Sequence, residues 1–191
     1  MTEIQEKANT IPQELSIAEI RKYTKEAAPL IHCITNPISI HDCANIILAA
    51  GARPIMAEHP AEVAEITAVA SALMLNLGNI TDARIESIQR ALKEANRRKI
   101  PVLLDLVGVT CSSLRREFAR KLLADGRFAV IKGNISEILA AADLPFHGTG
   151  IDAGSQDAIS QANEARYCTT AKKLAEHLGC TVMATGKLDL I

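Results

Sequence analysis

The stretch of this chain best equipped for chemistry is Lys132-Gly133-Asn134-Ile135-Ser136-Glu137. It follows an apolar run, 128–131, that reads as a buried strand, and it delivers an amide and, three residues later, a carboxylate into a helix start. Side chains spaced by three share one side of a helical turn, beside backbone N–H groups that a helix start leaves unpaired. Such a corner suits a hydrated Mg²⁺ held against a nucleotide phosphate, because Mg²⁺ takes few protein carboxylates and keeps several waters. The same residues also read as an ordinary helix start, with Asn134 and Ser136 as caps and Glu137 at the favourable end of the helix dipole. The hexapeptide by itself leaves both readings open.

The elements that must position this corner follow from the hydrophobic pattern. Short apolar runs at 30–34, 53–56, 72–77, 101–107, 128–131 and 181–184 suit parallel strands covered on both faces. Between them, 81–98 carries Ile85, Ile88, Leu92 and Ala95 on one stripe behind a Thr81 cap, which predicts an amphipathic helix. Further helices are expected over 38–50, stopped by Gly51, and over 112–124, 136–142 and 157–178, with Pro60 placed to open another. Repeated β-α alternation implies right-handed crossovers, an open and mostly parallel sheet, and ligands beyond the carboxyl ends of the strands. Those ends carry Thr35-Asn36-Pro37, Met56-Ala57-Glu58-His59, Asn76-Leu77-Gly78-Asn79, Asp105 with Gly108, and Lys132-Gly133-Asn134. Turn chemistry accounts for each singly, and their shared edge points to a ligand. There is no G-x-x-x-x-G-K-[ST] loop, and Gly148-Thr149-Gly150 lacks the spacing of a dinucleotide fingerprint.

Composition narrows the class. With 191 residues, 48% of them hydrophobic, the chain buries a full core, and a single α/β domain over 1–191 with a flexible 1–12 is the simplest organisation. A net charge of −1 with interleaved signs and 3% aromatic residues argues against nucleic acid and anionic membranes as partners. Five widely spaced cysteines without a C-x-x-C pair read as reduced, mostly buried thiols of a cytoplasmic protein. The polar first ten residues lack the apolar segment of a signal peptide, and no run reaches the length of a membrane span. His32, inside an apolar strand, reads as a satisfied core residue rather than a catalyst.

Five segments, in one order and spacing, resemble the hydroxyethylthiazole kinase family: Pro29-Leu30-Ile31-His32-Cys33-Ile34-Thr35-Asn36, Asp42-Cys43-Ala44-Asn45, Gly51-Ala52-Arg53-Pro54-Ile55-Met56-Ala57, Ser71-Ala72-Leu73-Met74-Leu75-Asn76-Leu77-Gly78, and Gly133-Asn134-Ile135-Ser136-Glu137. The resemblance implies a ribokinase-like fold, a mostly parallel sheet flanked by helices on both faces, and ATP-dependent phosphorylation of 4-methyl-5-(2-hydroxyethyl)thiazole in thiamine salvage. It further implies a cytoplasmic homotrimer with active sites at subunit interfaces; the apolar segment 38–48 fits such an interface. Carried over by position, Asn36 and Met56 would line the thiazole pocket, Asp105, Asn134 and Glu137 would organise Mg²⁺ and its waters, and Lys132, Thr185 and Gly186 would touch ATP. Phosphoryl transfer asks mainly for positioning and charge neutralisation, so this set is chemically sensible.

Four departures qualify the resemblance. Lys132 stands where the family usually has Arg, which keeps the charge and loses the bidentate fork. Leu106 replaces the usual Pro after the metal-organising Asp, freeing a backbone dihedral. Val109-Thr110-Cys111-Ser112 replaces a Gly/Ala-rich turn and would crowd a phosphate. The family's Gly-Thr-Gly-Cys-like segment, which opens a helix, forms the anion hole and carries the residue that activates the substrate hydroxyl, would lie beyond Ile191. No catalytic residue is therefore expected within 1–191, turnover by these residues alone should be slow, and the fold should be C-terminally incomplete with a partner or an exposed edge beside 181–184. A non-catalytic ligand-binding or oligomerising module and a hydroxymethylpyrimidine kinase are the alternatives.

Overall fold

The computed structural model describes residues 15–148, 154, 157–160 and 163–191. The expectations for 1–12 and for Thr149 and Gly150 fall outside those residues. Along the described chain the elements are α1 (Ile17–Ala27), β1 (Leu30–Ile34), α2 (Ile40–Ala50), β2 (Arg53–Ile55), α3 (Val63–Val69), β3 (Ala72–Asn76), α4 (Asp82–Arg98), β4 (Val102–Asp105), α5 (Ser113–Asp125), β5 (Val130–Asn134), α6 (Ile135–Ala141), α7 (Glu164–Leu178) and β6 (Thr181–Thr185). The strands form one sheet in the order β2-β1-β3-β4-β5-β6, with every neighbouring pair parallel.

The chain steps one way from β1 to β2 and the other way in every later connection. Right-handed crossovers therefore put α2 on one face of the sheet and α3 to α7 on the other. Burial follows that division. Leu73, Leu75, Val102, Leu104, Ile131, Val182 and Ala184 are buried together with Ile88, Ala91 and Leu92 of α4, Phe118 and Leu122 of α5, and Ile138 of α6. The alternate residues Met74, Leu103, Val130 and Met183, which point to the other face, are only half-buried among the described residues. Reversal of strand order between β1 and β3 creates a switch point, where open α/β sheets hold their ligands.

Local signals explain most boundaries. Thr81 and Ser112 cap α4 and α5 by accepting from Arg84 N and Arg115 N, and Gly51 ends α2 with a φ of 95°. Several expectations need correction. The helix expected over 157–178 begins at Glu164, because Asp157 is spent on Ser136 and His147 and Asn163 bonds back to the backbone of Ala158 and Ser160. Strand β5 runs on through Lys132-Gly133-Asn134, since Gly133 and Asn134 pair with Ala184 and Thr185 of β6. β6 is an edge strand, and the chain after it returns through one antiparallel bridge, Ala184 to Leu190. The cysteines are free, but only Cys33 is buried; Cys43 and Cys180 are half-buried, and Cys111 and Cys168 are exposed in a turn and on the outer side of α7.

Candidate functional site

At the carboxyl edge of the sheet the strands bring four polar side chains into one hydrogen-bonded row. Asn36 Nδ2 donates to Asn76 Oδ1 at 3.3 Å, Asn76 Nδ2 donates to Asp105 Oδ2 at 3.2 Å, and Lys132 Nζ donates to the same oxygen at 3.3 Å. Register makes this possible, because Asn76, Asp105 and Lys132 are successive cross-strand partners of β3, β4 and β5. Asn36 is fixed independently, its Oδ1 accepting from the backbone of Ile38 and Ser39. Gly78 is required by close approach: a Cβ there would stand 2.8 Å from Asn76 Oδ1 and 3.0 Å from Asn36 Nδ2. Asp105 Oδ1 accepts from Val107 N, so both of its oxygens are engaged while its two-sided carboxylate keeps acceptor capacity.

Beyond Lys132 lies the Asn134/Glu137 corner. Asn134 Oδ1 accepts from Glu137 N at 3.0 Å and Glu137 Oε2 accepts from Asn134 N at 2.7 Å, a reciprocal capping box. Capping is therefore present here; Ser136, by contrast, is no cap but lies inside α6 and donates to Asp157 at 2.6 Å. Glu137 does more than cap, since its second oxygen accepts from Gly108 N at 2.8 Å and ties the turn after β4 to the start of α6. Burial pushes its carboxyl up to about 7, the Asp105 charge adds to the rise, and the backbone donors and Lys132 oppose it. A buried acid held near neutrality beside a second carboxylate is a site that gains from a nearby cation.

That donor set fits Mg²⁺. Two carboxylates and an amide at one edge match a metal that takes one or two carboxylates and otherwise water and phosphate. No group of three or more His, Cys, Asp or Glu among the described residues would enclose a metal without such outside ligands. Thr185 and Gly186 lie across from the corner: Thr185 pairs in register with Asn134 and its hydroxyl bonds to Gly133 O at 3.4 Å, while Gly186 N donates to Asp189.

Met56 directly follows β2 and is half-buried, at the opposite end of the same edge. The strand order places Asn36 and Met56 at β1 and β2 and the Lys132 to Glu137 set with Thr185 at β5 and β6, with Asp105 between them. At about 4.8 Å per strand, β1 and β5 stand roughly 14 Å apart. His32 is the satisfied core residue expected, bonded at 2.8 Å to Thr67 Oγ1 and at 2.9 Å to Ala57 O, with burial lowering its pKa. Leu106 is fully buried, and its N–H donates to Lys132 O at 2.8 Å, a bond that Pro could not make. Val109 and Thr110 are buried while Cys111 is exposed, so two of the bulkier turn residues are folded inward.

Sequence reasoning placed Asn76 at this edge but not its part as the link of the row, and it missed two further residues that shape the edge. Arg115 of α5 donates to Leu77 O and, at 3.2 Å, to Gly78 O. Arg84 of α4 reaches Thr35 O and the Glu58 carboxylate. A usable signal existed only for Arg84, a cation in a first helical turn, where the dipole disfavours it.

An open parallel sheet with its polar groups gathered past the strand ends is an α/β ligand-binding fold, and it agrees with the ribokinase-like fold that the resemblance implies. The profile of the hydroxyethylthiazole kinase family matches residues 21–191, and the chain belongs to that family. It is 51% identical over 173 residues to hydroxyethylthiazole kinase 2 of Clostridium botulinum strain 657, covering 91% of this chain and 65% of that protein. It is 44% identical over 163 residues to hydroxyethylthiazole kinase of Clostridium acetobutylicum, covering 85% and 60%. The solved structure of a hydroxyethylthiazole kinase protein from Pyrococcus horikoshii OT3 superposes with a TM-score of 0.76 at 29% identity, covering 90% of this chain and 61% of that one. The chain thus spans about two thirds or less of the length of these relatives.

Proposed function

We propose that the protein phosphorylates the primary hydroxyl of 4-methyl-5-(2-hydroxyethyl)thiazole with ATP, a reading supported by its similarity to clostridial proteins named hydroxyethylthiazole kinase. The hydroxyl oxygen forms a bond to the terminal phosphorus as the bond to the bridging oxygen breaks, the hydroxyl proton passes to solvent water, and ADP leaves with the electron pair of the broken bond. Mg²⁺ would neutralise phosphate charge, with Asp105, Asn134 and Glu137 organising it and its waters. Lys132 presents a cation beside Asp105 to the same phosphates, and Thr185 and Gly186 meet the nucleotide from β6. Asn36 and Met56 receive the thiazole at β1 and β2.

The observation that carries this reading is the continuous row from Asn36 through Asn76 and Asp105 to Lys132, which joins the proposed alcohol end of the edge to the proposed phosphate end. Preorganised groups of this kind lower a barrier by costing little reorganisation during reaction. A coupled ADP-release assay tests it. Release by these 191 residues should be slow and should require both the thiazole and Mg²⁺. Release independent of the thiazole contradicts the reading, and preference for hydroxymethylpyrimidine replaces it with the related vitamin-precursor kinase.

A further inference from the structure

We propose that Arg84 is the positioning residue of the thiazole pocket: one buried guanidinium ties the loop after β1 to the loop after β2 and sets the width of the slot between Asn36 and Met56. The inference rests on the thiazole-kinase reading above and adds a residue that the family motifs quoted for this chain do not contain. Arg84 is the third residue of α4, where a positive charge opposes the helix dipole, and its side chain is only 6% exposed. Burying a guanidinium in such a place is unfavourable unless its donors are used. They are used on two different loops. Nη1 donates to Thr35 O at 2.5 Å, one residue before Asn36, and Nη2 donates to the carboxylate of Glu58, two residues after Met56.

The neighbouring helical turn reinforces the same hold. Ser87 Oγ donates to Glu58 O at 2.7 Å, and His32 holds Ala57 O from the sheet side at 2.9 Å. The Met56–Glu58 loop is thus pinned at two backbone carbonyls and one side chain, and Arg84 is the group that extends that frame to Thr35. The Glu58 carboxylate is 48% exposed, so its attraction to Arg84 is screened and the contribution is chiefly geometric. Only a planar fork reaches both acceptors together; a lysine ammonium on a flexible stem presents a single point.

The test is calorimetric binding of 4-methyl-5-(2-hydroxyethyl)thiazole and of Mg²⁺-ATP to wild type, Arg84→Met, Arg84→Lys and Glu58→Ala. Misplacing pocket groups by about 1 Å is costly, so Arg84→Met should raise the thiazole Kd about tenfold or more and leave the nucleotide Kd unchanged. Arg84→Lys should restore only part of the affinity, and Glu58→Ala, which removes the acceptor from a half-exposed position, should keep the fold while weakening thiazole binding alone. Equal loss of both ligands, or no loss of either, overturns the proposal. Amide hydrogen exchange reads the clamp without any ligand: Arg84→Met must speed exchange in both 36–39 and 57–59, and unchanged exchange in either segment overturns it. A wild type that binds no thiazole while the variant shows the exchange change would refute the functional reading and leave the clamp supported.

Discussion

Glu137 combines a structural role with the metal-organising role proposed for it. Its capping role is satisfied within α6, yet its pKa of about 7 stands well above the ordinary 4.5. Between those values the native protein holds a proton that the unfolded chain has released, so stability must fall as pH rises through that window, by roughly 3 kcal/mol in all. Metal-free melting curves from pH 4.5 to 7.5 should show that decline in wild type, and Glu137→Gln should flatten it; an unchanged slope would locate the titration elsewhere. The hexapeptide 132–137 was legible because its spacing is local. What Asn76 and Arg84 touch was not legible, since the Asn36–Asn76 contact joins residues forty apart and Arg84 reaches back to Thr35 across the edge of the sheet. Periodicity cannot report which loop a long side chain will reach.

Among elements, the strands and the stripe of α4 were readable because continuous apolar runs and a 3.6-residue period have few alternatives. Two features escaped. α1 carries a Ser16/Glu19 capping box and an apolar stripe of Ile17, Ile20 and Tyr23, and that stripe stays exposed within the subunit. The segment before α7 looked helical by composition, although Asp157 is drawn under Ser136 and His147 by contacts that only the assembled fold creates. The turn after β4 makes the sharpest element-level prediction. Leu106→Pro, which installs the family's usual residue, removes the 2.8 Å bond to Lys132 O and leaves that acceptor to find another partner. It should lower stability by about 1 kcal/mol or more, read from urea unfolding. A neutral effect would show that the turn relaxes freely beside Asp105.

At the scale of the whole molecule, membership of the family follows from a match over 21–191, and no described helix is long and apolar enough to cross a membrane. The proposed homotrimer has a candidate surface. Ile38 is 95% exposed, Ile46 70% and Leu48 56%, and α2 buries none of its residues within the subunit. Exposed apolar groups gathered on a helix and the turn before it mark interaction sites. Light scattering should report a trimer that Ile46→Glu dissociates without loss of helical content, whereas a monomeric wild type at high concentration would count against an interface-built pocket. The Asp105, Lys132, Asn134 and Glu137 edge is the proposed site for Mg²⁺ and nucleotide phosphate, and titration of ATP into the protein with and without Mg²⁺ tests that role most directly. Wild type should bind tightly only with Mg²⁺, and Glu137→Gln should lose that dependence; identical Mg²⁺ dependence in both proteins would contradict the proposed role and leave Glu137 a helix cap alone.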